Sequence, residues 1–288
     1  LRAMGRVRKV VFYTIDYIPV RFENRLVNRI YHLIDRLCCY HADCVWNISP
    51  RVSEGRFNNG VRKEKCAPQP VVPNGSNFNE IKRLPVEEIE RHSIAFMGHL
   101  RKNQGIELAL SALPKIREKI PDAALTIIGT GPLEGELKAL AARLGVEGSV
   151  HFTGFVKDHA ELESRLARCA VSVAPYVPSS DSFTYFSDPG KPKTYLAAGL
   201  PVVITGVPAV AAVIEARRAG MVIRYDDDEL AGAVVRLFSD DALYREYREN
   251  AIALGAMFEW SSIFADAFKT TFNEAFAWEL RVQRALID

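Results

Sequence analysis

From Ser93 onward the chain alternates short apolar, β-branched runs with stretches of helical spacing, and this alternation constrains the fold more than any single motif. Strands are expected at 93–97 (SIAFM), 124–128 (ALTII), 150–153 (VHFT), 170–174 (AVSVA), 201–205 (PVVIT) and 221–224 (MVIR). Helices fit between them at about 105–119, 132–145, 159–168, 191–198 and 207–218, and two more follow at 227–238 and 240–255. The strand runs are apolar throughout rather than at alternate positions. Such strands belong in a parallel sheet covered by helices on both faces. In open sheets of this type ligands bind beyond the carboxyl ends of the strands, so the chemistry is expected in the loops that follow them.

Ahead of this region, KVVFYTID (9–16) and DCVWNIS (43–49) read as strands, with a short helix after Ser49. Between them, Leu26, Val27, Ile30, Tyr31, Leu33, Ile34, Leu37 and Cys38 recur at three- and four-residue spacing, which predicts an amphipathic helix over 23–40. CAPQPVVPNGSNF (66–78) concentrates Pro, Asn and Gly and is the best domain boundary. A chain of 288 residues accommodates the two domains this implies.

The net charge of +2 conceals an asymmetry: residues 1–75 carry 13 Lys/Arg against 6 Asp/Glu, and the remainder carries 24 against 29. A basic first part with an amphipathic helix suits an anionic partner, either a phosphorylated substrate or the inner face of a membrane. A solvated basic surface with no partner reads the same way. The acidic remainder argues against nucleic acid. No apolar run reaches the roughly 18–20 residues of a membrane span, and no secretory signal pattern opens the chain. Five cysteines without paired or zinc-ligand spacing suit a reducing, cytoplasmic location.

Four loops concentrate the candidate site. GHLRKNQG (98–105) brackets His99, Arg101, Lys102 and Gln104 between Gly98 and Gly105, which suits a phosphate or diphosphate at a helix start. GTGPLEGEL (129–137) offers Gly129 and Gly131 ahead of Pro132, but forms neither a GxGxxG nor a Walker pattern, so a nicotinamide cofactor is poorly supported. In TGFVKDHAELE (153–163), Phe155 and Val156 could wall a base, and Asp158 with Glu161 reads as a capping box with His159 in the first helical turn. The long PYVPSSDSFTYFSDPGKPK loop ends on Gly190 and Lys191, a cation at a helix start where backbone N–H groups are unpaired. An ordinary loop–helix–strand connection shares each of these features singly. Together they favour a nucleotide or nucleotide-sugar site.

The succession VVPNGSNF, FMGHLRKNQGIELALSAL, LTIIGTGPLEGELKALAARLG, VHFTGFV, CAVSVAPY, PGKPKTYLAAGLPVV and FEWSSIFADAF resembles family 4 retaining glycosyltransferases, the glycosyl transferases group 1, over about 70–280. The resemblance implies a GT-B-type architecture. Residues 76–260 would form a Rossmann-like donor-binding domain, 1–75 a partial second Rossmann-like domain for the acceptor, and 261–288 a helix crossing back to it. It also implies that an earlier part of the acceptor domain is absent, in keeping with a chain that does not begin with Met. The implied activity moves a hexosyl-type sugar from a nucleotide-diphosphate donor to a glycan or lipid-linked acceptor with retention, in cell-envelope or polysaccharide synthesis. No obligatory metal and no cofactor beyond the nucleotide-sugar substrate would be needed.

The departures from the family pattern are specific. Its phosphate-binding Arg falls on His99 and its Lys on Gln104, and its two glutamates fall on Phe186 and Thr194. A Thr hydroxyl cannot reproduce the two-oxygen acceptance of a carboxylate at the donor ribose. Asp188 is the candidate for the first acidic role, and Lys191 the candidate diphosphate contact. A second reading is a non-catalytic nucleotide-sugar-binding protein, favoured by the lost glutamates. A third is a nucleotide-sugar epimerase, which needs an acidic residue near the hexose and is disfavoured by Phe186.

Overall fold

The computed structural model describes residue 7, residues 9–178 and residues 183–272. In chain order the elements are β1 (Val11–Thr14), α1 (Arg25–His41), β2 (Cys44–Asn47), α2 (Pro50–Asn58), β3 (Glu90–Met97), α3 (Ile106–Lys119), β4 (Ala124–Ile128) and α4 (Glu134–Arg143). There follow β5 (Val150–Gly154), α5 (His159–Arg168), β6 (Cys169–Ala174), α6 (Phe183–Phe186), α7 (Gly190–Ala197), β7 (Val202–Thr205), α8 (Val210–Ala216), β8 (Gly220–Ile223), α9 (Asp227–Ser239), α10 (Asp241–Ala256) and α11 (Trp260–Phe272).

The larger sheet is six-stranded and parallel, in the order β5-β4-β3-β6-β7-β8. Ile94 of β3 stands opposite Leu125 on one side and Val171 on the other. The winding reverses between these two neighbours, so the crevice of the sheet opens where the loops after β3 and β6 part. Two apolar clusters cover its faces. One centres on Phe96, Leu110, Leu113 and Val234, the other on Tyr195, Leu196, Val202 and Ile204. β3 begins three residues before the sequence suggests, because Glu90 still pairs with Cys169.

The first unit is a two-stranded parallel sheet, β1 beside β2. The proline-rich stretch expected as a boundary runs along its edge. The carbonyls of Pro68 and Pro70 accept from the Val45 and Asn47 amides, and the Val72 amide donates to the Asn47 carbonyl. Prolines suit that edge because they lend a carbonyl while having no N–H to satisfy. α11 closes the unit: Ile263 and Ala267 pack with Cys44, Trp46 and Val72, and Trp46 Nε1 donates to Thr271 Oγ1 at 2.8 Å. Residues 273–288, expected to continue this helix, lie outside the described residues.

α1 forms as expected from its spacing and is capped by Asn24, whose Oδ1 accepts from the Leu26 amide at 2.9 Å. Its apolar stripe is nevertheless uncovered among the described residues. Leu26 is 66% exposed and Ile34 57%, with Ile30, Leu33 and Leu37 between 44% and 48%. The helix is held instead by its polar side, where buried Asp35 pairs with buried Arg56 at 2.7 Å.

Candidate functional site

The loops after β3 and β4 are joined to each other by backbone hydrogen bonds. The Gly98 amide donates to Ile128 O at 2.8 Å, Leu100 to Thr130 O at 3.0 Å and Leu133 to Leu100 O at 3.2 Å. Gly129 in turn donates to Gly154 O at 2.9 Å, which brings in the loop after β5. The fit leaves no room for side chains: with φ at +137°, a Cβ on Gly129 would lie 2.0 Å from Gly98 O. A Cβ on Gly131 would likewise lie 2.4 Å from Leu100 O. His99 is exposed, and its Nδ1 donates to Thr130 O at 2.7 Å, so the proton sits on Nδ1. Between these loops lies a cavity of about 210 Å³ lined by Gly98, His99, Gly129, Thr130, Phe155 and Val156. Phe155 is 75% exposed at its mouth, while Val156 packs on the core beneath.

Asp158 caps α5 by accepting from the Ala160 amide at 3.0 Å. The reciprocal half of the expected capping box does not form, because Glu161 turns along the helix to Arg165 at 2.7 Å. His159 is an exposed first-turn residue, as read from the sequence.

Lys191 does not sit at the start of α7 as a simple charge. Its side chain crosses to β3 and the neighbouring loops, where Nζ donates to Gln104 Oε1 and lies 4.7 Å from the Phe96 ring centre and 5.0 Å from that of Tyr176. Gly98 makes room for it, since a Cβ there would stand 2.9 Å from Lys191 Cδ. Burial alone pushes the amine down to about 7. Neither α3 nor α7 has a side-chain cap, so both present unpaired N–H groups. Arg101 and Lys102 are exposed on the short turn before Gly105. Gly190 opens α7, and Thr194 turns its hydroxyl back to Gly190 O at 3.4 Å.

Asp188 requires a correction. Read from the sequence as a replacement for a lost acidic group, it is instead buried in an ion pair with Lys193, and its Oδ2 also accepts from the Asn74 amide at 2.7 Å. Burial holds the carboxyl above its usual range although Lys193 and the amide pull the other way. The Lys193 partner escaped sequence reasoning. The signal was present in the K-P-K spacing, because residues two apart on a helix face nearly opposite ways. Arg51 was also missed. From α2 it donates to the backbone carbonyls of Tyr185 and Val207 and stacks at 4.1 Å on the Tyr185 ring, tying the first unit to the loop that carries α6. Phe186 is buried against Tyr17, Ile48 and Val52. Residues 179–182 of that loop lie outside the described residues.

Residues 91–240 match the family described as glycosyl transferases group 1, which is more than half of the chain. The chain belongs to that family. Among the relatives of this group 1 chain is the phosphatidyl-myo-inositol mannosyltransferase of Mycolicibacterium smegmatis, 29% identical over 203 residues, covering 69% of this chain and 50% of that protein. Another is the GDP-mannose-dependent alpha-(1-6)-phosphatidylinositol monomannoside mannosyltransferase of Mycobacterium tuberculosis, 30% identical over 171 residues, covering 58% and 42%. The group 1 chain thus spans about half the length of these curated relatives. The fold is that of GT-B glycosyltransferases, as in Anabaena Alr3699/HepE in complex with UDP. That likeness has a TM-score of 0.75 at 19% identity and covers 93% of this chain and 73% of that one. WaaG, a glycosyltransferase involved in lipopolysaccharide biosynthesis, superposes with a TM-score of 0.69 at 17% identity, covering 92% and 75%.

Proposed function

We propose that the protein takes part in moving a sugar, with retention, from a nucleotide-diphosphate donor to a glycan or lipid-linked acceptor. In this reading residues 76–260 hold the donor, and residues 1–75 with the helix after 260 belong to the acceptor side. The observation that carries the proposal is the convergence of Lys191, two uncapped helix starts and the Gly98–Gly129 turn beyond the carboxyl ends of β3, β4 and β6. Diphosphate would face Lys191 and the free N–H groups, with the base in the cavity beside Phe155. A well-placed donor to a charge that grows in the transition state contributes about 3–4 kcal/mol, here toward departure of the diphosphate. The relatives' names speak for GDP-mannose in one case and the HepE complex for UDP, so both nucleotides are candidates.

Calorimetric titration with UDP and with GDP tests this reading. Micromolar binding by the wild type that is lost in Lys191→Ala supports it. A folded chain that binds neither nucleotide refutes the donor site.

A non-catalytic reading is favoured by one observation. Phe186 and Thr194 stand where the resemblance puts two glutamates, and neither is free to replace a carboxylate: Phe186 is buried in an aromatic cluster and the Thr194 hydroxyl is turned onto its own helix. Under that reading Thr194→Glu tightens nucleotide-sugar binding without producing turnover.

A further inference from the structure

Two lysines on one helix turn have opposite partners. Lys193 is held by a carboxylate, Asp188, whereas Lys191 is held by a neutral amide, Gln104. The amide is itself oriented, because Gln104 Nε2 donates to Asn103 Oδ1 at 3.2 Å and leaves Oε1 for the lysine. Phe96 comes to the amine from β3, Gly98 from the turn directly after β3, and Tyr176 from the loop after β6. Of these only Tyr176 can titrate, and burial drives its phenol well above the ordinary range, so it stays neutral. The cations on the turn that carries Gln104, Arg101 and Lys102, are exposed. Among the described residues no carboxylate faces the Lys191 amine, and burial alone governs its proton.

We propose that Gln104 is a positioning residue that aims Lys191 while leaving its charge uncompensated, so that the site is tuned for a dianionic diphosphate. The proposal rests on the donor-site reading above. A carboxylate at position 104 would hold the ammonium at least as well, but it would neutralise the cation and repel the incoming phosphates. An amide oxygen accepts the ammonium's hydrogen bond and supplies no charge. The buried amine then acquires its full counter-charge only from the ligand, so binding draws a proton to Lys191 wherever the free site is partly neutral.

Gln104→Glu separates this from a merely structural role. The expected result is unchanged or raised thermal stability, with affinity for UDP or GDP reduced at least tenfold. Wild-type binding should weaken as pH rises from 7 to 9, and proton uptake should show as a dependence of calorimetric heat on the buffer's ionisation enthalpy. NMR titration of the Lys191 ε-methylene in the free protein should give a midpoint that rises by a unit or more in Gln104→Glu. Gln104→Leu, as a second variant, should weaken binding without raising the midpoint. Equal affinity in wild type and Gln104→Glu, or a midpoint indifferent to residue 104, overturns the proposal. If the wild type binds neither nucleotide, the donor reading fails by itself, and the NMR midpoint still decides whether Gln104 governs Lys191.

Discussion

The Lys193 ammonium is fully buried, and its counter-charge is the Asp188 carboxylate five residues earlier, which also accepts the amide of Asn74. One carboxylate therefore joins α7 to the segment that links the two units. Removing either member leaves a charge stranded in a low-dielectric interior. Lys193→Met and Asp188→Asn should each lower stability by about 3–5 kcal/mol, and the double variant should recover more than half of the summed loss. Urea denaturation of the four proteins measures the coupling. Strictly additive losses would show that the pair does not act as a unit.

Lys191 gives a pH dependence whose sign follows from burial. The folded amine titrates near 7 and the exposed one near 10.5, so between these values the unfolded chain binds a proton that the folded chain does not. Unfolding then takes up a proton, and stability rises with pH from about 7 to about 10. Below pH 7 both states are protonated and this contribution to the slope vanishes. Urea midpoints at several pH values should show the extra upward slope in the wild type and not in Lys191→Met. Identical slopes would contradict a buried amine without a counter-charge.

Gly105 and Gly145 form a matched pair with φ at +64° and +68°, but a Cβ on Gly105 would lie 1.8 Å from Pro175 O while one on Gly145 meets nothing within 4 Å. Gly145→Ala should cost about 1–2 kcal/mol, the strain of a left-handed residue. Gly105→Ala adds a backbone collision and should cost more, about 2–5 kcal/mol, since overpacking contributes a further 1–3. Equal losses would mean that the loop after β6 is not seated on the start of α3.

The uncovered stripe of α1 sits beside Arg25, Arg29 and Arg36, on the part of the chain with excess positive charge. Among the described residues no helix is long and apolar enough to cross a membrane. Contact with a membrane surface would place the apolar side chains in the interface and the arginines against anionic headgroups. Ile30→Gln with Ile34→Gln should change stability by no more than about 0.5 kcal/mol and reduce co-sedimentation with phosphatidylglycerol vesicles. A large stability loss would place the stripe against protein instead, and undiminished sedimentation would exclude it from the contact.

Much of the architecture was legible because it depends on local pattern. Continuous apolar runs marked strands covered on both faces, and three- and four-residue spacing marked the helices, so each strand of the six-stranded sheet was expected within a few residues of its place. The glycines of the candidate loops were legible for a similar reason: Gly98, Gly129 and Gly131 occupy tight turns with neighbouring atoms too close for a side chain.

Partners were not legible. Sequence spacing could place Asp188, Lys191 and Lys193 on one short stretch, but not show that Asp188 neutralises Lys193 or that Lys191 crosses to Gln104, 87 residues earlier. Nor could it show that the amphipathic α1 is held by a buried Arg56–Asp35 pair while its apolar stripe stays uncovered. By itself, then, the sequence determined the parallel α/β layering, the places of the loops beyond the strands and membership of a family, because periodicity and backbone freedom are properties of neighbouring residues. Only the tertiary structure decided which charges are compensated, because that depends on burial and on contacts between residues far apart in the chain.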